Sequence, residues 1–346
     1  MHSLSNLISY FSRNKHFFTR LIVDLTKILW FKLTKKKVVV ITTGSGGIGD
    51  YLWIRSFYSI IKENNYKIVL IAMSNLKETV ESFDKNDLDI IRYFESCIQP
   101  KKIEVLFFNF FYADVYLNFC KECIAQFVKY KVVYTNTSDI NYNWFYEERN
   151  NAVFSQFLNL PIGFHHNLPN ITPTKETQKL SAHPYVVLTE GGNTHGKLND
   201  IQLIKIIQHL YNLNYNVFFN GNIHRLSTII SKKQLTRIID GYSFPFPQYV
   251  NIIKKADLVI TVNTSIYHFA LLLNRPCVII TPYEPRTVKL NNPNQVCVFN
   301  DKHITDMEQR LKPKTNDEKQ RLLENTKTEM IIDAIDNILS HKELTA

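Results

Sequence analysis

Three glycine- or hydroxyl-rich stretches hold the residues that could do chemistry. The first reads Thr42-Thr43-Gly44-Ser45-Gly46-Gly47-Ile48-Gly49-Asp50, in which Gly44, Gly46 and Gly49 meet the G-x-G-x-x-G spacing. Glycines there let the backbone turn sharply and leave room for a substrate to approach. Asp50 follows them at the start of a helix, whose N-terminus keeps a carboxylate ionised. A carboxylate so placed can take a proton from a substrate hydroxyl, or it can be a plain first-turn or capping acid. Spacing alone leaves both readings open.

The second stretch is Thr189-Glu190-Gly191-Gly192-Asn193-Thr194-His195-Gly196-Lys197. Turn amides, the Asn and Thr side chains and one lysine charge are what a diphosphate needs near a helix start. It is no Walker loop, because Leu198 follows the lysine; an ordinary surface turn is the competing reading. The third is Asn263-Thr264-Ser265-Ile266-Tyr267-His268, leaving a buried strand expected over 256–262. Thr264 or Ser265 would cap the next helix and His268 would project from its first turn, as a ligand contact or as a core histidine.

These loops need elements to position them. Apolar runs at 38–41, 68–72, 105–110 and 132–134, with a helical pattern over 51–64, predict strands of a parallel sheet covered by helices. The pattern lapses over 161–184, where Pro161, Pro169, Pro173 and Pro184 punctuate a polar linker. It resumes with strands at 185–189, 217–219, 258–262 and 278–281 and a helix over 201–213. The expected organisation is a basic N-terminal segment (1–37), a first Rossmann-like domain (38–160), the linker (161–184), a second Rossmann-like domain (185–315) and a helical tail (316–346). In such α/β sheets ligands bind beyond the carboxyl ends of the strands, where all three loops lie.

A chain of 346 residues that is 45% hydrophobic and 21% charged can bury two cores and is no disordered protein. Its formal charge of +10 is concentrated at the front. Arg13, Lys15, Arg20, Lys27, Lys32, Lys35, Lys36 and Lys37 face the single acid Asp24, and the remainder is nearly balanced. That layout argues against a nucleic-acid reader, which would carry basic and aromatic residues on its globular face. Leu4, Leu7, Ile8 and Phe11, then Phe18, Leu21, Ile22, Leu25 and Leu29, recur at helical steps between the basic residues. This predicts an amphipathic helix or helix pair that docks on an anionic leaflet or packs on the following domain. The charges leave no span of ~20 apolar residues, and no clean apolar core leads to a cleavage site.

Other constellations count for little. Cys97, Cys120, Cys123, Cys277 and Cys297 are odd in number and set among apolar residues, which suits free thiols in a reducing compartment. Cys120-x-x-Cys123 lacks a second ligand pair. Asp87-Leu88-Asp89 has the look of a metal chelate, yet its place in the first domain argues for a structural role. A hydride-transfer enzyme is disfavoured too, because the second strand runs into Ser74 and Asn75 where an acid should hold a ribose.

Taken together, the three loops resemble glycosyltransferase family 9, the bacterial lipopolysaccharide heptosyltransferases. The family's opening Ile-Gly-Asp step is matched by Ile48-Gly49-Asp50. Its Ala-Asp-Leu-Val-Ile strand is matched from Ala256 to Ile260, its Asp-Thr-Gly-x-x-His by Asn263-Thr264-Ser265 with His268, and its Ala-x-x-x-x-x-Pro by Ala270 to Pro276. The agreement runs over roughly residues 38–290. The resemblance implies an α/β protein of the GT-B fold, with two doubly wound domains facing a cleft. It implies inverting transfer of heptose from ADP-heptose to the Kdo of nascent lipopolysaccharide, without a metal or other cofactor. It also implies a Kdo-lipid A type acceptor, no nucleic-acid partner and a cytoplasmic place on the inner face of the inner membrane.

By position Asp50 would be the general base and Lys197 the diphosphate lysine. Gly192, Asn193, Thr194, Asn263, Thr264, Ser265 and His268 would line the donor, and Gly47, Gly49 and Arg55 the acceptor. Lys101 and Lys102 are further candidates for the acceptor's anionic groups. Two positions depart from the family: Asn263 stands where it has Asp, and Ser265 where it has Gly. An amide donates as well as accepts hydrogen bonds, which opens the identity of the donor sugar.

Overall fold

The apolar runs become strands of two all-parallel sheets, seen in a computed structural model that describes residues 15–43, 47–55, 58–94, 114–118, 132–134, 174–175, 178, 183–192, 196–282, 294–299 and 315–343. The chain divides into two compact units, residues 1–142 with 148–165 and residues 143–147 with 166–346. The strand expected at 105–110, most of the 161–184 linker, Lys101, Lys102, Cys97, Cys120 and Cys123 lie outside the described residues.

The first unit opens with helix α1 (Lys15–Leu33). Its Ile28 and Phe31 are buried and it packs on β1 (Lys37–Thr43). Ion pairs fasten it. Lys32 Nζ lies 2.6 Å from Asp114, and Arg92 meets the buried Asp24. Burial raises the Asp24 carboxyl, with Arg92, Lys27 and Arg20 pulling the other way. Packing is therefore one role of this segment.

After β1 come α2 (Ile48–Arg55), α3 (Tyr58–Glu63), β2 (Tyr66–Met73), α4 (Lys77–Phe83), β3 (Ile90–Phe94), β4 (Val115–Asn118) and β5 (Val132–Tyr134). The strand order β3-β2-β1-β4-β5 is doubly wound, with its switch point between β1 and β4. All but the first residue of β1 and the middle of β2 are buried, as the inner strands of a sheet covered on both faces must be. Of the helix expected over 51–64, the described residues give α2 and α3, with residues 56–57 between them outside the described set. The second ends at Glu63, and Asn65, with a left-handed φ of 67°, turns the chain into β2.

The second unit holds β6 (Tyr185–Thr189), a two-stranded ribbon of β7 (Gly191–Gly192) and β8 (Gly196–Lys197), and α5 (Asp200–Asn212). It continues through β9 (Asn216–Asn220), α6 (Ile223–Ile229), α7 (Lys232–Leu235), β10 (Ile238–Asp240), α8 (Gln248–Lys255) and β11 (Leu258–Val262). It closes with α9 (Ser265–Leu272), β12 (Cys277–Thr281), β13 (Gln295–Phe299), α10 (Asn316–Glu324) and α11 (Thr328–Glu343). The order β10-β9-β6-β11-β12-β13 reverses at β6 and β11. That is where a doubly wound sheet opens a crevice for a ligand.

Two boundaries differ from expectation. Residues 256–257 precede the strand expected over 256–262: Ala256 caps α8, and Asp257 accepts from the Tyr185 amide at 3.1 Å, bracing β11 on β6. The tail expected over 316–346 is packed structure, because Leu323, Ile331, Ala334, Ile335 and Ile338 join the core of this unit. Gln202 locks it there. Its Oε1 completes the Asn199 capping box of α5, while its Nε2 donates to the Leu323 and Thr326 carbonyls at 3.0 and 2.9 Å.

Candidate active site

The second stretch leaves β6 as a hairpin rather than as an open loop. Gly191 pairs with Lys197 and Gly192 with Gly196, so the expected run of free turn amides is partly folded on itself. Gly196 sits at φ +86°, where a side chain is strained. Asn193 and Thr194 lie outside the described residues.

Glu190 closes the base of this hairpin. Its backbone N–H donates to Asn220 O and its carbonyl accepts from the Leu198 amide. The buried carboxylate accepts from the Asn222 amide at 2.7 Å and from Arg225, which also pairs with Asp200 at 2.6 Å. A buried carboxylate needs such partners. Glu190 is thus spent on structure.

Lys197 has an exposed side chain and a fully engaged backbone. Gln320 on α10 accepts from its amide at 2.8 Å and donates to its carbonyl at 2.9 Å. The lysine ammonium is therefore offered from a fixed point while its amide is withheld from any anion. Sequence reasoning missed Gln320. Thr315-x-x-Glu318 is a legible capping box for α10, but nothing local says where that helix docks.

At the end of β11 the cap is Thr264 rather than Ser265, which is the first residue of α9. Thr264 Oγ1 accepts from the Ile266 amide at 3.3 Å and lies 3.1 Å from Thr261 Oγ1. Asn263, Ser265 and His268 are half-buried. The first turn of α9 directly follows the carboxyl end of β11, one of the two strands at the switch point, and helix N-termini there attract anionic groups.

The two loops meet. A Cβ on Gly192 would stand 2.9 Å from Thr264 Cγ2, tighter than real carbon contacts allow. The glycine is thus what lets the β6 hairpin close on the start of α9. Beside them Tyr249 donates to Gly241 O at 2.8 Å and lies 3.2 Å from Asn220 Oδ1, tying together the ends of β9 and β10. Among the described residues the carboxyl edge of this sheet carries backbone amides, hydroxyls, the exposed Lys197 ammonium and the half-buried amide side chains of Asn220 and Asn263. That set suits a phosphorylated, hydroxyl-bearing ligand.

In the first unit Asp50 is the third residue of α2, described by its backbone alone, beyond the carboxyl end of β1. The Tyr51 amide closes on Gly47 O at 3.2 Å. A Cβ on the exposed Gly47 would meet nothing within 4 Å, and Gly49 is buried. Arg55 corrects an expectation. It is 8% exposed, and its Nε and Nη2 donate to Asp84 at 2.9 and 2.6 Å. Tyr51 donates to the same carboxylate at 2.5 Å. Burial, Tyr58 and the Asp84 charge push that phenol well above its ordinary value, so it stays a donor. Arg55 is thus part of a buried framework under α2 rather than an exposed anion contact.

The other constellations are structural. Asp89 accepts from the Ile68 amide and Lys67 Nζ, each at 2.9 Å, and Asp87 pairs with Lys62 at 3.0 Å. Among the described residues no group of three or more His, Cys, Asp or Glu could hold a metal ion. Cys277 is buried and Cys297 half-buried; neither is in a disulfide, and Cys297 Sγ lies 3.6 Å from Thr281 Oγ1. After β2 the chain enters a turn of Ser74, Asn75 and Leu76, without the carboxylate that a dinucleotide ribose requires.

No family model matches the sequence, and no curated protein matches it. Solved structures do. The ADP-heptose lipopolysaccharide heptosyltransferase II of E. coli superposes with a TM-score of 0.62 at 12% identity, over 89% of this chain and 99% of that one. The fold is GT-B. A family 9 glycosyl transferase from Veillonella parvula gives a TM-score of 0.62 at 12% identity, over 88% and 97% of the two chains. The E. coli heptosyltransferase WaaC with ADP-2-deoxy-2-fluoro heptose gives 0.51 at 11%, over 86% and 99%. At these identities the likeness is one of fold, and activity must be argued from the site.

Proposed function

We propose that the chain is an inverting glycosyltransferase that moves L-glycero-D-manno-heptose from ADP-heptose to a Kdo residue of the lipopolysaccharide inner core, at the inner face of the inner membrane. The observation that carries the reading is the closure of Gly192 on Thr264. It assembles two of the three motif loops at the switch point of one sheet, beside the exposed Lys197. The fold it shares with heptosyltransferases supports the same reading.

In this mechanism Asp50 takes the proton of the acceptor hydroxyl as that oxygen attacks the anomeric carbon from the face opposite the diphosphate. The new C–O bond forms as the bond to the diphosphate breaks, the configuration inverts, and ADP leaves with the bonding pair. Lys197 and the amides at the start of α9 stabilise the charge that builds on it. Asn193, Thr194, Asn263, Ser265 and His268 hold the donor; Gly47 and Gly49 leave space for the acceptor. No metal enters the scheme, and the anionic acceptor is a Kdo-lipid A type glycolipid rather than a nucleic acid.

Incubation with ADP-heptose and Kdo-lipid A, followed by mass spectrometry, should show one added heptose. Asp50→Asn should abolish transfer and leave ADP-heptose binding intact. Loss of both would show that Asp50 does not act as a base. Binding without turnover in the unsubstituted protein would instead favour a sugar-nucleotide binding protein. Because Asn263 replaces the family's Asp, a panel of other nucleotide sugars tests transfer of a different sugar to the same glycolipid.

A further inference from the structure

Helix α1 has two apolar faces, and among the described residues only one of them is covered. Asp24, Ile28 and Phe31 point into the first unit. On the opposite side Ile22, Thr26, Leu29 and Leu33 follow at four- and three-residue steps, flanked by Val23 and Trp30. Exposure there runs from 49% at Val23 to 78% at Leu33, so this is a continuous outward stripe rather than scattered surface hydrophobes. The polar atom within it is silent. Thr26 Oγ1 donates to Ile22 O at 2.9 Å inside the helix.

The charges around the stripe are positive. Arg20 and Lys27 are exposed along one margin, and Lys35 and Lys37 lie exposed beyond the C-terminal end. The one acid of residues 1–37, Asp24, is turned inward onto Arg92. No described helix is long and apolar enough to cross a membrane.

We infer that this outward face of α1 seats the protein on an anionic lipid surface, with Ile22, Leu29, Trp30 and Leu33 in the interface and Arg20, Lys27, Lys35 and Lys37 toward the headgroup phosphates. An apolar stripe with a tryptophan and basic flanks is the chemistry of an interfacial helix. A second copy of the chain is the poorer occupant, because a symmetric contact would bring the Arg20 and Lys27 margins of both copies together. The covered face gives the seat a fixed orientation, since Ile28, Phe31 and the pairs of Asp24 and Lys32 hold α1 to the sheet. The inference stands whether or not the donor proposal does.

The test is co-sedimentation of the full chain with vesicles of phosphatidylethanolamine and phosphatidylglycerol, against vesicles of phosphatidylcholine. The protein should pellet with the anionic vesicles and less at raised salt. Leu29→Asp with Leu33→Asp should weaken binding about ten-fold or more, with an unchanged melting temperature because neither side chain is buried. Should that variant fail to fold, quenching by brominated lipid reports on the unsubstituted protein, and Trp30→Phe should remove most of the quenching. Failure to pellet, binding unmoved by the double substitution, quenching indifferent to Trp30→Phe, or self-association that the double substitution abolishes would each overturn the inference.

Discussion

Gln320 grips Lys197 by both backbone groups, accepting from its amide at 2.8 Å and donating to its carbonyl at 2.9 Å across 123 positions of sequence. The charge most suited to a diphosphate is thus anchored by a helix expected as a tail. Gln320→Ala removes two hydrogen bonds, each worth about 1 kcal/mol. The expected outcome is an ADP affinity about five-fold weaker with little change in turnover at saturating donor. Titration calorimetry checks it; a fall in turnover with unchanged affinity would place Gln320 elsewhere in the scheme.

The closure of Gly192 on Thr264 makes a sharper case. Gly192→Ala puts a methyl group 2.9 Å from Thr264 Cγ2, and overpacking of this kind costs about 1–3 kcal/mol. Donor binding should fall accordingly. Adding Thr264→Ser removes the offending methyl and keeps the capping oxygen, so the double variant should recover most of the loss. A double variant no better than Gly192→Ala would mean that the two loops do not share a ligand through this contact.

Arg55 yields a prediction about stability rather than acceptor binding. Removing one partner of a buried ion pair leaves the other charge uncompensated, at about 3–5 kcal/mol. Arg55→Met should therefore lower the denaturant midpoint steeply, and adding Asp84→Leu with Tyr51→Phe, which also removes the hydroxyl that donates to Asp84, should restore much of it. An unchanged midpoint with a raised acceptor KM would return Arg55 to the acceptor.

What the sequence made legible follows from range. Tyr185–Thr189 is a strand at the expected residues, and Leu258–Val262 lies within the expected run, because a parallel strand covered on both faces reads as an unbroken apolar stretch. The β7–β8 hairpin was not readable, since Gly191, Gly192 and Gly196 have no side chains to show a period. Gln320 and Lys197, Arg55 and Asp84, and Gly192 and Thr264 are bonds or contacts between distant positions, and no local pattern records them. The outward stripe of α1 shares only Ile22 and Leu29 with the apolar periodicity of the N-terminal segment. Its exposure depended on Ile28 and Phe31 being the residues that pack.

Asn263 offers the most direct test of donor choice. It is half-buried at the carboxyl end of the central β11, one residue before the cap of α9. Its amide can donate to one hydroxyl and accept from another, whereas a carboxylate can only accept. Asn263→Asp should therefore alter how the sugar is held and leave the nucleotide alone. With ADP-heptose the expected result is a higher kcat/KM at an unchanged Kd for ADP, measured by steady-state transfer and by calorimetry on the same preparation. A weakened ADP affinity would place this side chain against the diphosphate instead, where a second negative charge repels. Lower transfer from ADP-heptose at constant ADP affinity would mean that the site is built around a sugar hydroxyl that must receive a hydrogen bond, and so around a different donor.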